Sequence, residues 1–174
     1  MAIPGQPTDI NFLSPLGYKF VMSRLPNLEY FVQSFNFPAL TLNETQGIQT
    51  PFNKLIIAGD HMTFDHFSLT FKIDENMYSY FELYDWMVAV GKPENFNQFA
   101  AIAAAGKTSG KGVLSDASLV ILNGTMNPNI RIDFFDVLPV RLSEFTFNSK
   151  ETDVNYITAT AEFKYREYIY TRLT

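Results

Sequence analysis

The chain has 174 residues, enough for one domain with a sizeable core; 47% are hydrophobic and only 18% charged. A net charge of -5, a pI near 5.0 and just 13 Lys and Arg argue against a protein that grips nucleic acid through its phosphates. There is no cysteine, which excludes disulfides, thiolate metal sites and cysteine nucleophiles.

The first dozen residues carry Pro4, Gly5 and Pro7 and read as an extended arm over 1–16, without the basic and apolar regions of a signal peptide. No stretch approaches the ~20 apolar residues of a membrane span. A first strand is expected over Tyr18-Ser23. A second covers 28–37, where Tyr30, Val32, Ser34 and Asn36 alternate with Phe31, Gln33, Phe35 and Phe37, and Pro38 ends it. Residues 41–58, polar in the middle and apolar at the end, read as a protruding excursion or extended hairpin. Gly59-Asp60 is a turn into the next strand.

That strand carries Phe64, Phe67, Leu69, Phe71 and Ile73, with Ser68, Thr70 and Lys72 interleaved. Asp74 is placed to cap a helix, and Met77, Tyr80, Phe81, Tyr84, Met87 and Val88 recur at helical spacing up to Gly91. Core positions are expected at Phe64, Phe71, Phe81, Tyr84, Trp86, Phe145 and Phe163. Residues 92–116 form a long loop in which the alanine run holds a short helix and the Gly-Ser-Lys run moves. Further strands are expected over Ala117-Asn123, Ile130-Phe135, Val140-Phe147 and Tyr156-Tyr170, with a turn at Leu138-Pro139. Many strands around one helix imply a mainly β protein, an antiparallel sandwich or barrel with one packed helix, in a single domain over 1–174.

Chemistry-bearing patterns are weak. Gly106-Lys107-Thr108 lacks the earlier glycine of a phosphate-binding loop, with Ala101 in its place. His61 and His66 differ in strand parity and face apart, so they do not converge on a metal. Glu82 and Asp85 are helix-surface neighbours, better explained by solvation than by acid-base catalysis. The Asn43 and Asn123 sequons are chance matches to a short pattern. No enzyme and no cofactor are expected. With 16% aromatic residues and little charge, some large apolar side chains are expected to cover a partner surface.

Taken in order, several segments carry a resemblance: Tyr18-Lys19-Phe20-Val21, Phe35-Asn36-Phe37-Pro38, Gly59-Asp60 with Thr63-Phe64-Asp65, and Asp74-Glu75-Asn76 leading to Trp86. Val137-Leu138-Pro139-Val140, Phe145-Thr146-Phe147-Asn148-Ser149 and Ala161-Glu162-Phe163-Lys164-Tyr165 complete the set. The chain resembles the tail tube proteins of contractile-tailed, T4-like bacteriophages, which share a fold with type VI secretion ring proteins. The resemblance implies six copies in a ring whose inner wall is a closed β-barrel. Rings stack into a tube inside a sheath, and the lumen conducts DNA. It also implies baseplate hub and initiator proteins and a tape measure protein as partners, and a place in the virion after assembly in the host cytoplasm. An acidic lumen would let DNA slide.

Asn43, Glu44, Gln46, Ile48, Thr50, Phe52 and Lys54 in the excursion, and Lys107, Ser109 and Lys111 in the loop, are then the expected contacts between subunits and rings. Competing readings are a tube initiator or terminator, a secreted type VI-like ring, and a monomeric ligand-binding sandwich that does not assemble.

Overall fold

The computed structural model describes residues 11–45, 52, 57–93, 95–109, 112–150 and 155–173. Two antiparallel sheets share one long strand and close over an aromatic core. In the first, β1 (Tyr18–Val21) pairs with β6 (Ser115–Leu122), which pairs with the first half of β7 (Pro128–Leu142); β9 (Glu167–Arg172) lies on β7's other side. In the second, the last residues of β7 pair with β8 (Thr158–Lys164), then come β5 (Phe67–Lys72) and β2 (Val32–Asn36). Apart from these, β3 (Leu40–Thr45) and β4 (Ile57–Phe64) pair only with each other, as a hairpin.

Where a turn between two strands was expected at Leu138-Pro139, β7 runs through as one strand; its pairing passes from β6 at Val137 to β8 at Leu138, just after an irregularity that contains Asp136. This residue takes a left-handed conformation (φ 55°), held where its amide donates to Asp116 Oδ1 at 3.2 Å and its carboxylate meets Arg166 at 3.1 Å. Pro139 continues the strand instead of ending it. The strand is an edge of the second sheet here, so a residue without an N–H can be accommodated on its open side. The last expected strand is likewise two, β8 and β9, separated at Tyr165-Arg166.

Alternation in β5 and β8 builds the core. Phe67, Leu69 and Phe71 face inward opposite Phe163, Ala161 and Ala159, while Ser68, Thr70 and Lys72 face out. Phe67 stacks on Phe163 at 5.1 Å and meets Phe134 of the other sheet at 5.0 Å. Tyr165 joins this cluster, but its buried hydroxyl finds no hydrogen-bond partner among the described residues. Desolvation, with Tyr168 and Asp65 adding to it, pushes the hydroxyl up from the ordinary 10.0 to about 12.

The core therefore favours the neutral phenol. Its contribution to stability is complete below the ordinary tyrosine range and is lost as pH rises from there through about 12. Alkaline unfolding followed by circular dichroism is expected to steepen across that window, and to do so less in Tyr165→Phe.

Among the described residues three helices accompany the sheets: α1 (Pro26–Phe31), α2 (Tyr78–Gly91) and α3 (Phe96–Ser109). The α1 turn replaces the start of the strand expected over 28–37, because Pro26 presets the first helical turn and Leu28 is buried by it. Asp74 does cap α2, accepting the amides of Tyr78 and Ser79 at 3.1 and 2.9 Å, although the helix begins four residues later. Desolvation raises the Asp74 carboxyl, but these bonds and that from the Ser79 hydroxyl outweigh it and hold the group below its usual range. Residues 92–116 are not one long loop. Asn95 accepts the amide of Asn97, and the alanine-rich run continues as α3, a 14-residue helix against α2.

Candidate assembly surfaces

The second sheet presents an outward face built from the alternate residues of its strands. Across β2, β5 and β8, Ser34, Thr70 and Thr160 form one row, and Asn36, Ser68 and Glu162 the next. Asn36 Nδ2 donates to Ser68 Oγ at 2.9 Å, the Thr70 and Thr160 hydroxyls lie 3.2 Å apart, and Glu162 meets Arg141 at 3.5 Å. The centre of this face is hydroxyl and amide. Its charges are the Glu162–Arg141 pair together with Lys72 and Lys164 at the ends of β5 and β8. Among the described residues no strand covers the outer edge of β2 or of residues 138–142, so the sheet ends in two open edges.

The β3–β4 hairpin carries Asn43 and Glu44 on β3. Its paired residues Leu40↔Phe64 and Leu42↔Met62 place an apolar row on one side, and Leu40, Leu42 and Met62 are about half exposed. A two-stranded hairpin is marginal alone in water; among the described residues this one pairs with no further strand, and Phe64 at its base packs on Tyr165 and Tyr168. Gly59, expected in a turn, instead sits inside β4, within the irregularity that sets residues 59–61 against Asn43; any Cβ there would collide with the Asn43 carbonyl oxygen. Phe52 is exposed. Gln46, Ile48, Thr50, Lys54 and Lys111 lie outside the described residues, and Lys107 and Ser109 belong to the last turns of α3.

The helical layer holds the largest departure from expectation. Of the seven residues expected in the core, Phe71, Trp86 and Phe163 are buried and Phe64 and Phe145 half-buried, but Phe81 and Tyr84 are 46% and 49% exposed. The inward stripe of α2 is Ser79, Leu83, Trp86 and Ala89. Phe81 and Tyr84 fall on the opposite side, because an aromatic run longer than one stripe must put some rings outside.

Trp86 donates Nε1–H to the Val113 carbonyl at 3.0 Å and lies under the Arg24 guanidinium at 4.9 Å. Arg24 itself holds the carbonyls of Gly112 and Val113. The outer rings form a chain of contacts, Phe147 to Phe145 to Tyr80 to Phe81 to Tyr84, at spacings of 5.1–6.5 Å. Beside it Phe31, Met77, Phe145, Phe147 and Tyr156 line a groove of about 600 Å³. This surface was missed because helical periodicity in aromatic residues was equated with burial.

Among the described residues no group of three His, Asp or Glu is placed to hold a metal ion, and no helix is long and apolar enough to cross a membrane. His61 lies in β4 and His66 in the turn after it, both exposed.

No protein-family model and no curated protein matches the sequence. Solved structures do. The tube-terminating cap of the anti-feeding prophage matches with a TM-score of 0.63 and 10% identity over 99% of both chains. A chain of the sheath–tube complex of the extracellular contractile injection system PVC, in its extended state, matches with a TM-score of 0.59 and 11% identity, over 94% of this chain and 95% of that one. The PVC sheath/tube terminator gives 0.59 and 12% over 94% and 99%. The chain thus has the fold found in tube and cap components of contractile injection systems.

Proposed function

We propose that this chain, with the fold of contractile injection system tube and cap components, is the repeating subunit of such a tube: a structural, non-enzymatic protein of the phage tail kind. The observation that carries the reading is the second sheet, which combines two open edges with an outward face poor in charge. Joining β2 of one copy to the last residues of β7 of the next extends the sheet head to tail. Such a heterologous contact closes as a ring when the rotation fits, and closure removes both edges.

Six copies give the hexamer that the tail tube resemblance implies, with the hydroxyl and amide rows toward the channel. The hydroxyl rows at the centre of this wall neither grip nor repel a polyanion, so DNA passes along them during ejection. The apolar side of the hairpin, with Asn43, Glu44, Gln46, Ile48, Thr50, Phe52 and Lys54, then packs on a neighbouring copy or ring, and Lys107, Ser109 and Lys111 contribute contacts between rings. Around the tube lies the sheath. Baseplate initiator and hub proteins meet one end, and a tape measure protein occupies the lumen during assembly in the host cytoplasm, before the tail joins the virion.

Deleting residues 43–54 tests the hairpin's part in this. The monomer is expected to keep its circular dichroism spectrum and melting temperature nearly unchanged, because β3 and β4 pair only with each other. Tubes seen by electron microscopy should disappear, and tubes still formed by the deletion variant would contradict the assignment. The likeness to a cap and to a terminator supports a second reading, in which the ring closes a tube end. That protein forms rings that do not stack.

A further inference from the structure

We infer that the folded chain modifies itself at Asn123: the Gly124 main-chain nitrogen displaces the side-chain amide, leaving aspartate or isoaspartate. Asn123-Gly124 is the one Asn-Gly pair in the sequence, and it stands in the turn between β6 and β7. Glycine brings no side chain to shield its own nitrogen. Residues 124–128 are exposed, and nothing lies within 4 Å of the position that a Gly124 Cβ would take.

The turn activates the carbon that is attacked. Asn123 Oδ1 accepts the Thr125 amide at 3.0 Å, the Thr125 hydroxyl at 2.7 Å and the Asn127 amide at 3.0 Å. Donors converging on one carbonyl oxygen draw electron density from Cγ and stabilise the oxyanion that forms when a nucleophile adds there. The two nitrogens of the reaction are unrestrained. Among the described residues neither the Gly124 amide nor Asn123 Nδ2 has a hydrogen-bond partner, so no bond is given up when one attacks and the other leaves. Asn148, before Ser149, is also exposed, but among the described residues its Oδ1 accepts only the Lys150 amide, at 3.1 Å.

In the first step the Gly124 nitrogen bonds to Asn123 Cγ and gives up its proton. The Cγ–Nδ2 bond breaks, and ammonia leaves with that proton, closing a cyclic imide. Water from the solvent then adds to either imide carbonyl. Breaking the new bond from Cγ to nitrogen gives aspartate, which keeps an oxygen for the same donors. Breaking the bond from the former main-chain carbonyl gives isoaspartate, whose main chain is longer by the side-chain methylene. The pairing of Leu122 with Pro128 is then set against a longer turn. Both products add a negative charge at this end of the first sheet. The reaction needs one folded copy and solvent, so it does not depend on assembly.

The test incubates dilute full-length protein at mildly alkaline pH, with and without urea, and follows each asparagine by peptide mass spectrometry. An isoaspartate methyltransferase assay separates the two products. Asn123 is expected to convert in the folded chain ahead of Asn148 and every other asparagine, giving the first acidic species on ion exchange. Thr125→Val removes the hydroxyl donor and should slow this conversion about tenfold in the folded chain while leaving the rate in urea unaltered. Gly124→Ala has room for its methyl group, so it should keep the wild-type melt and nearly stop conversion. Conversion of Asn123 only in urea would show that the turn protects the residue and would overturn the proposal. So would a folded rate that Thr125→Val leaves unchanged or raises.

Discussion

Trp86→Ala is expected to lower the unfolding free energy by about 3–5 kcal/mol. The indole is 2% exposed and does three things at once: it fills the space beneath α2, donates to the Val113 carbonyl and supports the Arg24 guanidinium. Truncation leaves a cavity and removes one of the two donors to the Val113 carbonyl, and Arg24 keeps its bonds to residues 112 and 113 without the ring below it. A domain of this size has about 5–15 kcal/mol in total, so the variant sits near the limit of folding.

Trp86→Phe keeps part of the volume and should retain a cooperative melt if alanine does not. Phe81→Ala, five residues earlier on the same helix, is the internal control. Its ring points outward, and the expected change is within about 0.5 kcal/mol. Chemical denaturation followed by circular dichroism reads all three. Equal losses at Trp86 and Phe81 would mean that the faces of α2 are assigned wrongly.

Blocking either open edge of the second sheet is expected to abolish rings while sparing the monomer. Gln33→Pro acts on β2 at the residue its pairing with β5 skips, and Val140→Lys acts on β7 at the residue its pairing with β8 skips. Proline removes a donor from the edge, and a lysine there resists a further strand. Each variant alone should sediment as a monomer with a near-native melt.

Mixing the two is more informative. A head-to-tail contact uses β2 of one copy and β7 of the next, so each variant retains the half that the other lacks. The mixture should therefore stop at heterodimers, with the intact β7 edge of Gln33→Pro on the intact β2 edge of Val140→Lys. Rings from either variant, or a mixture that remains monomeric, would exclude this contact as the one that closes the ring.

How far the sequence disclosed these features depended on how local each one is. Strand β5 was legible because period-2 alternation from Phe67 to Phe71 maps directly onto one buried and one solvated face. The carboxylate of Asp74 at the start of α2 was legible for a similarly local reason. Long-range geometry was not. The bend at Asp136 depends on partners contributed by Asp116 and Arg166, 20 and 30 positions away, and so the visible proline was given the turn instead.

Helix α3 was undervalued because its glycine and lysine residues suggested mobility, although the alanines before them favour a helix. Phe81 and Tyr84 show the sharpest limit. Helical spacing says that residues share a stripe, but only the packed partners decide which stripe faces the core. The uncharged row at the centre of the outward face of the second sheet was likewise hidden until cross-strand register brought Ser34, Thr70 and Thr160 together.

Electron microscopy of the purified wild-type protein across a concentration series tests the central claim most directly. The account predicts six-fold rings with an open central channel, stacking into tubes as concentration rises, with the rows containing Ser34, Thr70 and Thr160 along the channel wall. A uniform monomer at the highest concentrations, or rings with those rows turned outward, would contradict it.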